Sequence, residues 1–186
     1  MRTGLICSLV ALVGFLGTST ANAQDAGKAG ITMGFPGSIG VIWHASDRVA
    51  IRPEITFSGA SADADGPGEV KGDNWALATG LGVLFYLSSQ DNLRTYFTPR
   101  IAYTRTSATT EISSVTTSSS KNTSNSLGGF GSFGAQYNLG DKFGVFGELG
   151  FGVTRATARG SSTFSSGESR STQWGTRAGV GVIYYP

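Results

Sequence analysis

The sequence predicts an all-β chain, an eight-stranded antiparallel up-and-down transmembrane β-barrel that follows a cleaved signal peptide. Three observations predict it. The first is period-two alternation, clearest in FGVFGELGFGVTRA, where Phe143, Val145, Leu149, Phe151 and Val153 share one parity and Gly144, Glu148, Gly150, Gly152 and Thr154 share the other. The second is an alternation of short connections with long polar ones, the asymmetry of barrels whose turns are short on one side of a membrane and longer on the other. The third is the placing of aromatics at the two ends of the apolar parity. Trp75 to Phe85 and Trp174 to Tyr184 each span ten residue steps. At about 3.3 Å per step and a tilt near 40°, that is roughly 25 Å along a membrane normal.

In chain order, residues 1–23 read as a signal peptide. Arg2 is a short basic start, Leu5 to Leu16 an apolar stretch too short to span a bilayer as a helix, and Ala21-Asn22-Ala23 a small-residue cleavage signal. Residues 24–186 then form one barrel domain. The segment 28–45 is either one long strand or a hairpin around Pro36-Gly37, and the hairpin brings the total to the even number that single-chain barrels use. Strands follow at about 48–58, 74–87, 93–108, 127–139, 143–159 and 174–185. Short turns fall at Ser46-Asp47-Arg48, Ser88 to Asn92 and Gly140-Asp141-Lys142. The stretches 59–73, 109–126 and 160–173, rich in Ser, Thr and Gly, read as long extracellular loops.

Composition narrows the function classes. The lone cysteine, Cys7, leaves with the signal, so the mature chain has no disulfide and no thiolate chemistry. Without Arg2, thirteen basic residues face twelve acidic ones, a balance that points to no nucleic-acid partner. No cofactor is implied.

Parity then assigns the two faces of the wall. Leu77, Thr79, Leu81, Val83, Phe85 and Leu87 face lipid, as do Phe133, Ala135, Tyr137 and Leu139, and Trp174, Ala178, Val180, Val182 and Tyr184. The aromatic girdles comprise Trp43, Trp75, Phe85, Trp174 and Tyr184. The opposite parity carries Arg52, Glu54, Arg100, Glu148 and Arg177 near mid-strand, with glycines beside them. Unpaired charge is too costly to enclose, so these five read as an ionic cluster inside the barrel, paired or watered.

At this point the mature chain resembles the small OmpA/OmpX-type eight-stranded outer-membrane barrels. RVAIRPEITFSG and TYFTPRIAYTR, each with a proline on the lipid parity beside an inward arginine, are similar to strands of that family, and GVGVIYYP is similar to its terminal strand, departing by ending in proline. The resemblance implies an outer-membrane location with both termini periplasmic, outer-membrane lipid (lipopolysaccharide above all) as a partner, and handling by the barrel-assembly machinery during biogenesis. It implies a fold and a place more than an activity.

His44, the one histidine, invites comparison with a Ser-His lipid-A deacylase but falls beside the periplasmic turn, the wrong side for that reaction, and reads as a boundary histidine. Asp63 to Gly66 lacks the spaced ligands of a calcium loop. Glu54 and Glu148 could act as paired catalytic carboxylates, yet neighbouring arginines favour structural pairing. Asn122-Thr123-Ser124 fits a glycosylation sequon of little weight in such a barrel. Arg105, Arg155 and Arg159, outward where the apolar band ends, fit either lipopolysaccharide phosphates or snorkelling into interfacial water. The function expected is non-enzymatic, structural or adhesion-like, with the loops as binding surface. The alternatives are a narrow pore for small solutes and, behind it, a lipid-modifying enzyme.

Overall fold

The computed structural model describes residues 26–64, 69–113, 117–162 and 165–186, so the signal-peptide reading lies outside the described residues. Eight strands follow one another: β1 (Ala29–Phe35), β2 (Ser38–Ser46), β3 (Val49–Ala64), β4 (Glu69–Gln90), β5 (Leu93–Ser113), β6 (Thr117–Asn138), β7 (Phe143–Ser162) and β8 (Ser166–Tyr184). Each pairs antiparallel with its neighbours in sequence, and β1 pairs with β8 to close the ring. Closure is what an apolar-walled sheet requires, since an open edge would leave backbone N–H and C=O groups unpaired in hydrocarbon.

The period-two pattern places the apolar parity outside. Along β7, Phe143, Val145, Leu149, Phe151 and Val153 are exposed while Gly144, Phe146 and Gly152 between them are buried. Burying apolar side chains elsewhere while leaving Phe133, Leu149 and Leu127 bare makes sense only if hydrocarbon covers them. Aromatic rings meet at both ends of this band. Phe143 and Tyr184 touch at one rim, ring centres 5.1 Å apart, and Phe151 meets Trp174 edge-on at the other.

One end of the barrel, here termed the base, holds the start of β1, the end of β8 and three tight turns. Asp91 takes φ 50 at the β4–β5 turn, a left-handed conformation that aspartate tolerates better than most residues. The segment 28–45 is a hairpin, turning at Pro36-Gly37, where the Gly37 N–H donates to the Gly34 carbonyl and Gly37 takes φ 80.

The opposite end, the crown, corrects the sequence reading. The stretches 59–73, 109–126 and 160–173 are mostly strand. Register runs unbroken from Phe57–Leu77 to Ala64–Val70, from Arg105–Asn125 to Ser113–Thr117, and from Arg155–Thr172 to Ser161–Ser166. Asn122-Thr123-Ser124 therefore lies inside β6. These residues alternate without apolar contrast because both faces meet water, and the β-branched threonines still suit a pleated ladder.

Candidate functional site

The lumen of the base half is bridged by two layers of polar side chains. The upper layer comes from odd-numbered strands. Arg52 on β3 hydrogen-bonds Glu148 on β7, and these strands lie on opposite sides of the ring, so this pair crosses the full lumen. Arg52 Nε stands 2.9 Å from Glu54 Oε1. Arg100 on β5 donates to Glu54 Oε2 at 2.7 Å and to Glu148 Oε2 at 3.2 Å. Tyr96, also on β5, donates its hydroxyl to Glu148 Oε1 at 2.9 Å. Two guanidinium groups and two carboxylates thus form a neutral ring with little solvent access. Mutual pairing is what makes such burial tolerable, because each ion taken singly would cost several kcal/mol to desolvate. The Arg52 guanidinium also lies 4.8 Å from the centre of the Phe146 ring, a cation–π contact.

The lower layer comes from even-numbered strands and the residue just after β8. His44 Nε2 and the Tyr185 hydroxyl are 3.0 Å apart. Gln136 donates from Nε2 to Tyr185 at 3.2 Å and to Asn138 Oδ1 at 3.0 Å, and accepts at Oε1 from Tyr86 at 3.1 Å. His44 stacks on Tyr86, and Tyr86 meets Tyr96 edge-on at 5.8 Å, joining the two layers. Ile42, Leu84 and Ile183 are buried among the same inward positions. His44 is 1% exposed and enclosed in the barrel rather than at its boundary, because Tyr185 and Tyr86 cover it.

Of the five inward charges singled out from sequence, Arg52, Glu54, Arg100 and Glu148 meet in one network. Arg177 does not join it. It points inward and is half-buried, but among the described residues it meets no carboxylate; its guanidinium sits over the Phe130 ring at 5.6 Å. Its strand neighbour across β7 is Gly150, which offers no partner. Sequence reasoning missed Tyr96, Tyr86, Gln136 and Tyr185, although their inward parity was readable. Glu54 and Glu148, considered as catalytic carboxylates, are each engaged by two arginines. Among the described residues no group of three or more His, Cys, Asp or Glu side chains could hold a metal ion.

Outside, the girdle residues Trp43, Trp75, Phe85 and Trp174 are exposed and Tyr184 half-buried. Arg105 and Arg155 project outward at the end of the apolar band, beside Tyr103 and Val153, and Arg159 projects outward four residues farther along β7. Arg105 and Arg159 border a shallow groove with Lys121, Thr123 and Asn125. Arg159 already donates from Nε to Glu168 Oε2 at 2.8 Å, and Arg170 binds the other oxygen of the same carboxylate. Those hydrogen bonds, Arg159's first and Arg170's next, hold the Glu168 carboxyl below its ordinary range.

The barrel is similar to a major outer membrane protein of Thermus thermophilus, with a TM-score of 0.57 at 17% identity over 84% of this chain and 98% of that one. It is also similar to CarO of Acinetobacter baumannii, with a TM-score of 0.48 at 16% identity over 89% of this chain and all of the other. At such identity the likeness is one of fold, an eight-stranded barrel of the outer-membrane kind. No protein-family model and no curated protein sequence matches the chain, and what the solved structures share with it is the small outer-membrane barrel architecture rather than membership of the OmpA/OmpX-type family.

Proposed function

We propose that this protein is a non-enzymatic, non-conducting barrel of the bacterial outer membrane, with the base in the periplasm and the crown projecting outward as a structural and adhesion-like interaction surface. The observation that carries this reading is the Arg52–Glu148 pair across the lumen, braced from below by His44, Tyr185, Gln136 and Tyr86. Side chains can fill an eight-stranded lumen, and here charged and aromatic ones do so in two layers. Recognition then falls to the crown, whose paired strands hold Ser, Thr and a few charges on a rigid scaffold where substitutions cost the fold little. Lipopolysaccharide is the proposed lipid partner. Arg105, Arg155 and Arg159 stand where outer-leaflet phosphates would lie, and guanidinium groups bind phosphate through parallel hydrogen bonds.

The test has two arms. In planar bilayers the purified protein should give no persistent single-channel steps; large steady ones would replace this reading with the pore. Cutting the three long hairpins back to turns just beyond Phe57–Leu77, Arg105–Asn125 and Val153–Trp174 should leave assembly intact and abolish adhesion of protein-coated beads to host and envelope glycans. Unchanged adhesion would leave a purely structural barrel. Replacing Arg105, Arg155 and Arg159 together with glutamine should reduce co-purified lipopolysaccharide several-fold.

A further inference from the structure

The ring of strands is closed only in its lower part. The β1–β2 hairpin turns at Pro36-Gly37, whereas its neighbours β3 and β8 run on to Ala64 and back to Ser166. β1 pairs with β8 only from Ile31–Tyr184 to Phe35–Val180, and the last β2–β3 pair is Ile39–Ile55. Beyond those points β3 and β8 do not pair with each other. On β8 the unpaired edge begins at Gly179, while the apolar outer face continues to Trp174, so the gap opens within the membrane band. Two absent strands leave β3 and β8 about 14 Å apart, at about 4.8 Å per interstrand step. The three most exposed large apolar side chains among the described residues all border this notch: Trp174 at 78%, Phe35 at 75% and Phe57 at 71%.

The inner side of the notch has the opposite character. Alternate residues of β8 between Gly175 and Gly179 present unpaired backbone groups to it, which hydrocarbon alone cannot satisfy. Above the ionic ring, the inward positions of β3 to β8 are, among the described residues, small or uncharged, Thr56, Ala78, Ala102 and Thr154 among them, with one exception. That exception is Arg177, on the strand that borders the notch and without a carboxylate partner among the described residues.

From these features we infer that the notch is a lateral binding site for a single-chain anionic amphiphile, a long-chain carboxylate, with its head on Arg177 and its chain passing out between Phe35, Phe57 and Trp174 into the outer leaflet. One guanidinium matches one carboxylate, exposed backbone N–H groups add donors, and a slot narrowed by its bordering side chains suits one acyl chain better than a multi-chain lipid. The Phe130 ring holds Arg177 from the far side, leaving its remaining N–H groups for the ligand.

The experiment uses membrane-extracted protein in neutral detergent with Trp43→Phe and Trp75→Phe, so that emission reports Trp174 alone. 9,10-Dibromostearate should quench it saturably, and the methyl ester of the same acid should quench only in proportion to its concentration. Arg177→Gln should raise the half-saturating concentration at least tenfold, with Arg177→Lys recovering most of it. Gly175→Phe fills the site from a position where an added Cβ meets nothing within 4 Å, and it should remove saturable quenching. Heat-dependent gel mobility checks that each variant is folded. Equal affinity in Arg177→Gln, or saturable binding of the ester, would overturn the carboxylate site in favour of apolar partition. A dimer in sedimentation with Trp174 shielded from both probes would overturn it in favour of strand addition by a second copy.

Discussion

The base and the crown are built from the same ladder, yet their interiors obey different rules. In the base, each inward residue answers to a specific partner, and several glycines exist because a ring occupies the space a side chain would need. An added Cβ on Gly134 would come within 2.5 Å of the Tyr96 ring, and one on Gly152 within 2.2 Å of Phe130. In the crown, an added Cβ on Gly160 or Gly167 meets nothing within 4 Å. Identical composition therefore has two meanings: glycine is a packing requirement below and open space above. The base carries the fold's uniqueness, and the crown is free to vary.

The largest blow to that contrast is Glu148→Ala. It removes the acceptor shared by Arg52, Arg100 and Tyr96 and leaves buried positive charge, so unfolding in urea should show a loss of about 3–5 kcal/mol. A change under about 1 kcal/mol would mean that the ring is hydrated and the base no more demanding than the crown. Tyr96→Phe deletes one donor to that carboxylate and should cost about 1.5–3 kcal/mol in the same assay. Gly134→Ala should cost about 1–3 kcal/mol by overpacking, while Gly160→Ala and Gly167→Ala stay within about 0.5 kcal/mol of the parent. Equal effects at the two ends would erase the distinction.

The smallest effect is in the crown itself. Because Glu168 has a lowered folded-state pKa, its contribution is present above the ordinary glutamate range and is lost as pH falls through the folded value. Acidification from neutrality to below about pH 4 should therefore speed backbone hydrogen exchange near Arg159 and Arg170, after correction for the intrinsic rate. Glu168→Gln should abolish that pH dependence.

How much is legible in the sequence follows the same division. Parity alone separates lipid-facing Leu81, Phe133 and Val180 from inward Arg52 and Glu148, because strong apolar contrast marks a wall with hydrocarbon on one side. It fails at 109–126 and 160–173, where water on both sides removes the contrast and a Ser/Thr-rich strand reads as a loop. Arg177 groups with the other mid-strand charges in sequence because position along a strand does not reveal which opposing residues are glycine. His44 reads as a boundary residue because the rings that enclose it come from β4 and from the chain after β8, far away in sequence.

The short seam between β1 and β8 has a mechanical consequence. Every other neighbouring pair of long strands is zipped over most of its length, whereas the ladder that closes the ring runs only from Ile31–Tyr184 to Phe35–Val180. Pulled from its N-terminus in a force experiment, the barrel should yield there first, peeling off the β1–β2 hairpin at low load while β3 to β8 hold as a six-stranded sheet. The same seam is the natural last stitch in assembly, since it asks for few bonds to be made at the moment the sheet becomes a cylinder.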